Sequence, residues 1–198
     1  MRAEDFHPRC RSLMALRPDD RHAGLRALHA ETLAEYSGWL QAIPTARAHS
    51  ASSDGRSIAL VVGHIEAWDR FLIQACGEIL SGVPWPSLMD LRGFLDEDGQ
   101  RRDFASMDAF NERCADVQRR LPWDTLRASA LDRAQAASAL FDPSRLLTPE
   151  RLEHTRLYEW ETPGGLRIRA AVGWYVWMII MEHEAVEHAA DLARAAAA

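Results

Sequence analysis

The chain has 198 residues, 47% of them hydrophobic, which is enough for one domain with a substantial core and no need of covalent staples. Its 23 basic residues are all Arg and are outnumbered by 29 acidic ones, and the net charge of −6 is spread along the sequence. No basic block interleaves with aromatics, so a nucleic-acid backbone is a poor partner.

Three distant cysteines, Cys10, Cys76 and Cys114, match no metal-ligand spacing and read as small buried hydrophobes of a reducing compartment. The opening MRAEDFHPRCRSL lacks the apolar region of a signal peptide, and the apolar run Trp174 to Met181 is too short to span a bilayer. A soluble, cytoplasmic protein without membrane contact is expected.

Residues 1–19 form an N-terminal extension without an assignment, and 20–198 form the domain. Apolar residues then recur at helical spacing in four long windows. The first runs from Asp20 to Ile43, with Leu25, Leu28, Thr32, Tyr36, Leu40 and Ile43 on one face and Pro44 as its stop. A Ser- and Ala-rich loop follows. Ser57 is placed to cap the second helix, whose stripe is Ile58, Val61, Ile65, Trp68, Leu72, Ala75 and Ile79; Ser81-Gly82 ends it.

Residues 83–106 read as loop with the polar string 96–103 exposed, and a shorter helix is predicted over Met107 to Leu121. Pro122 opens the third long helix, marked by Trp123, Leu126, Ala130, Ala134, Ala137 and Phe141, with Asp142-Pro143 as its end. Thr148-Pro149-Glu150 has the form of a capped helix start. Thr162-Pro163-Gly164-Gly165 is a turn signal within a small β-hairpin, and the last helix is predicted from about Arg169 to Ala195. The pattern is all-α: a four-helix bundle with a long crossover between its second and third helices.

Candidate chemistry lies in two of these helices. His64, in GHIEAW, flanks the apolar stripe beside Trp68 and can face the bundle; as a lone residue it is equally a half-buried His with one hydrogen bond. In MEHEAVEHAADL, Glu184 and His188 are four apart and project from one face, as helical metal ligands do. His183 and His188 are five apart, about 140° around an α-helix, and are not expected to share an ion.

The rival pair His183 and Glu187 has the same i,i+4 spacing. Periodicity leaves all of these at the margin of the core, where a solvated face is the alternative. Helical phase turns Glu66 and Asp69 away from His64, so both are expected in solvent. The tryptophans are expected in the core rather than in a ligand cage, and Arg167 and Arg169 on the surface, with contact to an anionic substrate or cofactor as the alternative. No G-x-G-x-x-G, Walker, H-E-x-x-H or G-x-S-x-G motif is present.

The strings SIALVVGHIEAWDRFLIQACGEILSG, DAFN at 108–111, RRLPWDTL and EHEAVEH together resemble the DinB superfamily, and within it the mycothiol-dependent maleylpyruvate isomerase-like bundles. The resemblance spans most of residues 20–195. It implies a divalent metal held by His64, Glu184 and His188, with Glu184 standing where three-His members carry the middle histidine. Two imidazoles and one carboxylate suit Zn, Ni, Fe or Mn and leave positions open for chemistry.

It further implies a low-molecular-weight thiol as co-substrate, a small-molecule substrate, and a homodimer. The expected function is therefore a metal-dependent thiol transferase or isomerase. The alternative is a non-catalytic binding or protective stress-response protein of the same fold.

Overall fold

The computed structural model describes residues 2–142, 146–162, 165 and 167–197. Eight helices, α1 (Ala3–Met14), α2 (Pro18–Ala42), α3 (Ile58–Leu80), α4 (Met107–Gln118), α5 (Trp123–Leu140), α6 (Pro149–Glu153), α7 (Val172–Glu182) and α8 (Ala189–Ala196), are joined by loops, 3-10 turns and two antiparallel strand pairs. The pairs are β1 (Phe94–Leu95) with β2 (Arg101–Arg102) and β3 (Leu157–Glu161) with β4 (Arg167–Ala171).

Four long rods make the bundle: α2, α3, α5, and α7 continued into α8. The loop-rich crossover carrying α4 links the second rod to the third. No helix among the described residues is long and apolar enough to cross a membrane.

Local signals act where the sequence places them. The Ser57 hydroxyl accepts from the Leu60 N–H at 3.3 Å, and Thr148 caps α6 in the same way. All three cysteines are buried and unbridged. The predicted hairpin forms, although Pro163 and Gly164 of its turn, like Pro143 after the third rod, lie outside the described residues.

Two expectations are corrected, and a segment left without an assignment proves helical. The last rod starts at Val172, because Arg169 to Ala171 complete β4. Residues 3–14, which carry no long apolar stripe, form a helix that packs on α2 and on the final rod through Phe6, His7 and Cys10. Asp96, in the string expected to be solvated, is buried because its carboxylate accepts the Asp98 and Gln100 N–H groups and pairs with Arg102.

The core has two apolar halves. Leu28, Phe71, Phe110, Phe141, Trp174 and Trp177 belong to one, and Tyr36, Leu40, Val61, Ile65, Trp123 and Leu192 to the other. Along each of α2, α3 and the final rod, the chain passes from one half to the other within a segment that carries polar residues: His29 and Thr32, His64 to Asp69, and Glu184 to His188. The bundle is thus crossed by a polar layer, and the candidate site occupies it.

Candidate metal centre

The final rod changes its winding at this layer. Residues His183–Glu187 form a π-turn between α7 and α8. Bonding from i to i+5 brings residues five apart toward one face, and such turns favour functional sites. His183 and His188, which α-helical phase separates, consequently both reach His64: the ring centroids lie 5.7 Å and 5.3 Å from that of His64.

The 140° separation behind that expectation assumed an unbroken α-helix, and the π-turn brings both rings near His64; whether they share an ion is a separate question. No residue pattern in MEHEAVEH announces the π-turn, so periodicity alone could not have found it.

The three rings differ in their commitments. His183 stacks on Trp68 at 5.6 Å and 22°, and its Nε2 sits 3.3 Å from a Glu187 oxygen. Trp68 is itself fixed by donating from Nε1 to Asn111 Oδ1 at 3.0 Å. His188 is buried, and its Nε2 has no hydrogen-bond partner. Burial pulls the His64 pKa down to about 3, with the two neighbouring imidazoles adding to the effect, and burial likewise lowers that of His188. Both rings are therefore neutral at pH 7, with a lone pair available to a Lewis acid.

Glu184 lies on the core side of this cluster. It is fully buried, neither oxygen has a hydrogen-bond partner, and His29 Nε2 lies 3.7 Å from Oε2. The Trp177 indole donates to His29 Nδ1 at 3.0 Å, so neutral His29 carries its proton on Nε2, facing the carboxylate.

Asp69 and Glu66 were expected in solvent and are instead buried. Asp69 is 0% exposed with both oxygens unpartnered, and Glu66 accepts from the Ser129 hydroxyl at 2.9 Å. The signal was available: Asp69 lies four residues after Ile65 and three before Leu72, on the apolar stripe itself. Tyr36, fully buried and with its hydroxyl also unpartnered, lies near the carboxyl groups of Asp69, Glu184 and Glu66.

Burial raises the carboxyl of Asp69 well above its ordinary value, and the nearby Glu184 and Glu66 push it further; burial raises that of Glu184 too. A carboxyl whose folded pKa exceeds its unfolded one costs nothing below about pH 4 and weakens the fold as pH rises toward the folded value. Asp69→Asn should accordingly match the parent near pH 4 and exceed it by about 1–3 kcal/mol at pH 8 in chelator-treated protein. Urea unfolding across that range checks this, and parallel stability curves for the two proteins would refute it.

The donors fit a divalent metal in kind: neutral imidazoles with a buried carboxylate, several of their atoms without any partner. With a metal–nitrogen distance near 2.1 Å, the centroids of two ligating imidazoles lie roughly 4.6–5.3 Å apart, close to the spacing of His64 and His188. Among the described residues, however, no three His, Cys, Asp or Glu side chains stand at ligand spacing.

No protein-family profile matches the sequence, and no curated protein matches it. Two solved structures share the fold. A mycothiol-dependent maleylpyruvate isomerase matches with TM-score 0.53 and 17% identity, and a point mutant of that enzyme with 0.56 and 16%; both matches cover 86% of this chain and 60% of theirs. The chain therefore spans less than two thirds of their length, and at that identity the likeness shows the fold, which is the DinB-like bundle.

Proposed function

We propose that this DinB-like bundle is a metal-dependent enzyme, a thiol-dependent transferase or isomerase, with His64, Glu184 and His188 as the ligands. The observation that carries the reading is the set of unpartnered buried donor atoms, His188 Nε2 and both Glu184 oxygens, beside a neutral His64 that lines a cavity of about 470 Å³. When bound there, a divalent ion would lower the pKa of a water or thiol held against it.

Around that centre, the protein's own groups orient and exclude. Glu187 stands against the His183 ring, Trp68 and Asn111 brace it, and Leu72, Leu88 and Met89 give the cavity beside His64 an apolar wall. The thiol would come from solution. Cys10 and Cys114 are pushed up to about 12 by burial and Cys76 higher still, so none is a thiolate at neutral pH. We place the protein in the cytoplasm on its cysteine usage and opening sequence, and read it as a homodimer acting on a small molecule on the strength of the family resemblance.

Elemental mass spectrometry of native, tag-free protein tests the reading. Near-stoichiometric Zn, Ni, Fe or Mn that disappears in His64→Ala supports it; absence of metal in both, persisting after reconstitution with each ion, sinks it. The second reading, a non-catalytic binding or protective protein, is favoured by the lack of three donors at ligand spacing among the described residues.

A further inference from the structure

Two cavities meet at the histidine cluster. The one reached by His64, Trp68 and Leu72 has a volume of about 470 Å³, and a second, reached by His7, Trp160 and Glu182, about 710 Å³. Tyr158, Tyr175, Ile179, His183 and Glu187 line both, so the two cavities adjoin along these residues. Each volume suits a small organic ligand.

The chemistry of the lining is one-sided. Asp108 and Glu187 are the charged residues of the first chamber, and Glu159, Glu161, Glu182 and Glu187 those of the second; no arginine lines either, and the chain has no lysine. Arg167 and Arg169, whose strand brings them nearest, are exposed and pair in register with Glu161 and Glu159. Strand alternation puts those four residues on the outer face of the hairpin and turns Tyr158 and Trp160 inward.

Inside, three half-buried rings form one aromatic wall. Tyr175 lies 4.8 Å from Tyr158 and 5.0 Å from Trp160, and those two stack at 12°. Negative ring faces beside carboxylates attract a cation. A carboxylate ligand would shed its hydration there and find no guanidinium in return.

We propose that the adjoining cavities bind a small amine with an apolar body. Its ammonium group rests against Tyr158, Trp160, Tyr175, Glu182 and Glu187, and its apolar part lies toward Trp68 and Leu72 beside His64. The assignment rests on the histidine cluster being the working end of the site, and it names the substrate class for that reading.

Calorimetric titration of chelator-treated full-length protein with phenethylamine and with hydrocinnamate, which offers a carboxylate on a similar body, is the test. The amine should bind at least tenfold more tightly than the acid, and Trp160→Leu should weaken the amine by roughly tenfold. Comparable or tighter binding of hydrocinnamate, or no binding of phenethylamine, overturns the proposal, and the parent protein alone decides that comparison if the variant does not fold. Metal is absent from this titration, so its failure leaves the metal reading standing, and a failed metal assay leaves the amine result intact.

Discussion

His188→Ala is expected to reduce bound divalent metal from near-stoichiometric to trace, while His183→Ala leaves it almost unchanged. The two imidazoles stand at similar distances from His64, so proximity does not separate them. Their commitments do. His183 is stacked on Trp68 with its Nε2 3.3 Å from a Glu187 oxygen, which leaves its Nδ1 as the unpartnered atom, whereas the His188 Nε2 is itself buried without a hydrogen bond, with the same carboxylate 3.9 Å away. A buried nitrogen left unpaired costs free energy that a bound ion would recover, and a nitrogen already engaged has less to gain. Elemental analysis of both variants, prepared without a polyhistidine tag, decides the matter. Metal lost on His183→Ala and kept on His188→Ala would move the centre to the His183 and Glu187 pair.

Trp177→Ala should destabilise the protein by about 3–5 kcal/mol, the usual cost of emptying a large buried aromatic site. Trp177 is fully buried, stacks on Phe141 at 4.1 Å and 9°, and meets His22 edge-on at 4.9 Å. Its indole N–H also sets the tautomer of His29 and thus aims that ring's other nitrogen at Glu184. Trp177→Phe keeps most of the packing and loses the donor, so it should cost nearer 1–2 kcal/mol. Urea midpoints with an unchanged denaturant slope would bear this out. Equal losses for the two variants would mean that the hydrogen bond, and not the packing, holds this part of the core.

The resemblance and the periodicity together led to the right architecture because bundle rods are specified locally. The stripe from Ile58 to Ile79, the Ser57 cap and the Ser81-Gly82 stop each act within one or two turns of chain, and the structure uses all three. The same holds for Thr148 and for the hairpin, whose turn chemistry sits beside the strands that it joins. The α1 helix escaped because its stability comes from docking Phe6, His7 and Cys10 on the bundle, and not from a long stripe of its own.

For the candidate site, sequence alone determined that His64, Glu184 and His188 lie on two rods at the edge of their apolar faces. It also determined that no nucleophile motif competes with them. Tertiary structure alone decided the rest. The π-turn that carries His183 to the same side as His188 sits where the final rod packs against α1 and α2, and no short-range signal in MEHEAVEH marks it.

Likewise, a carboxylate on a helix reads as solvated until its neighbours are known. Asp69 sits on the apolar stripe and could have been read as buried, but Glu66 does not: it is covered because α5 and the final rod pack on α3, which only the tertiary structure shows. Local pattern sets which face of a helix is apolar, but the depth at which a residue on the margin of that face is buried depends on what packs against it.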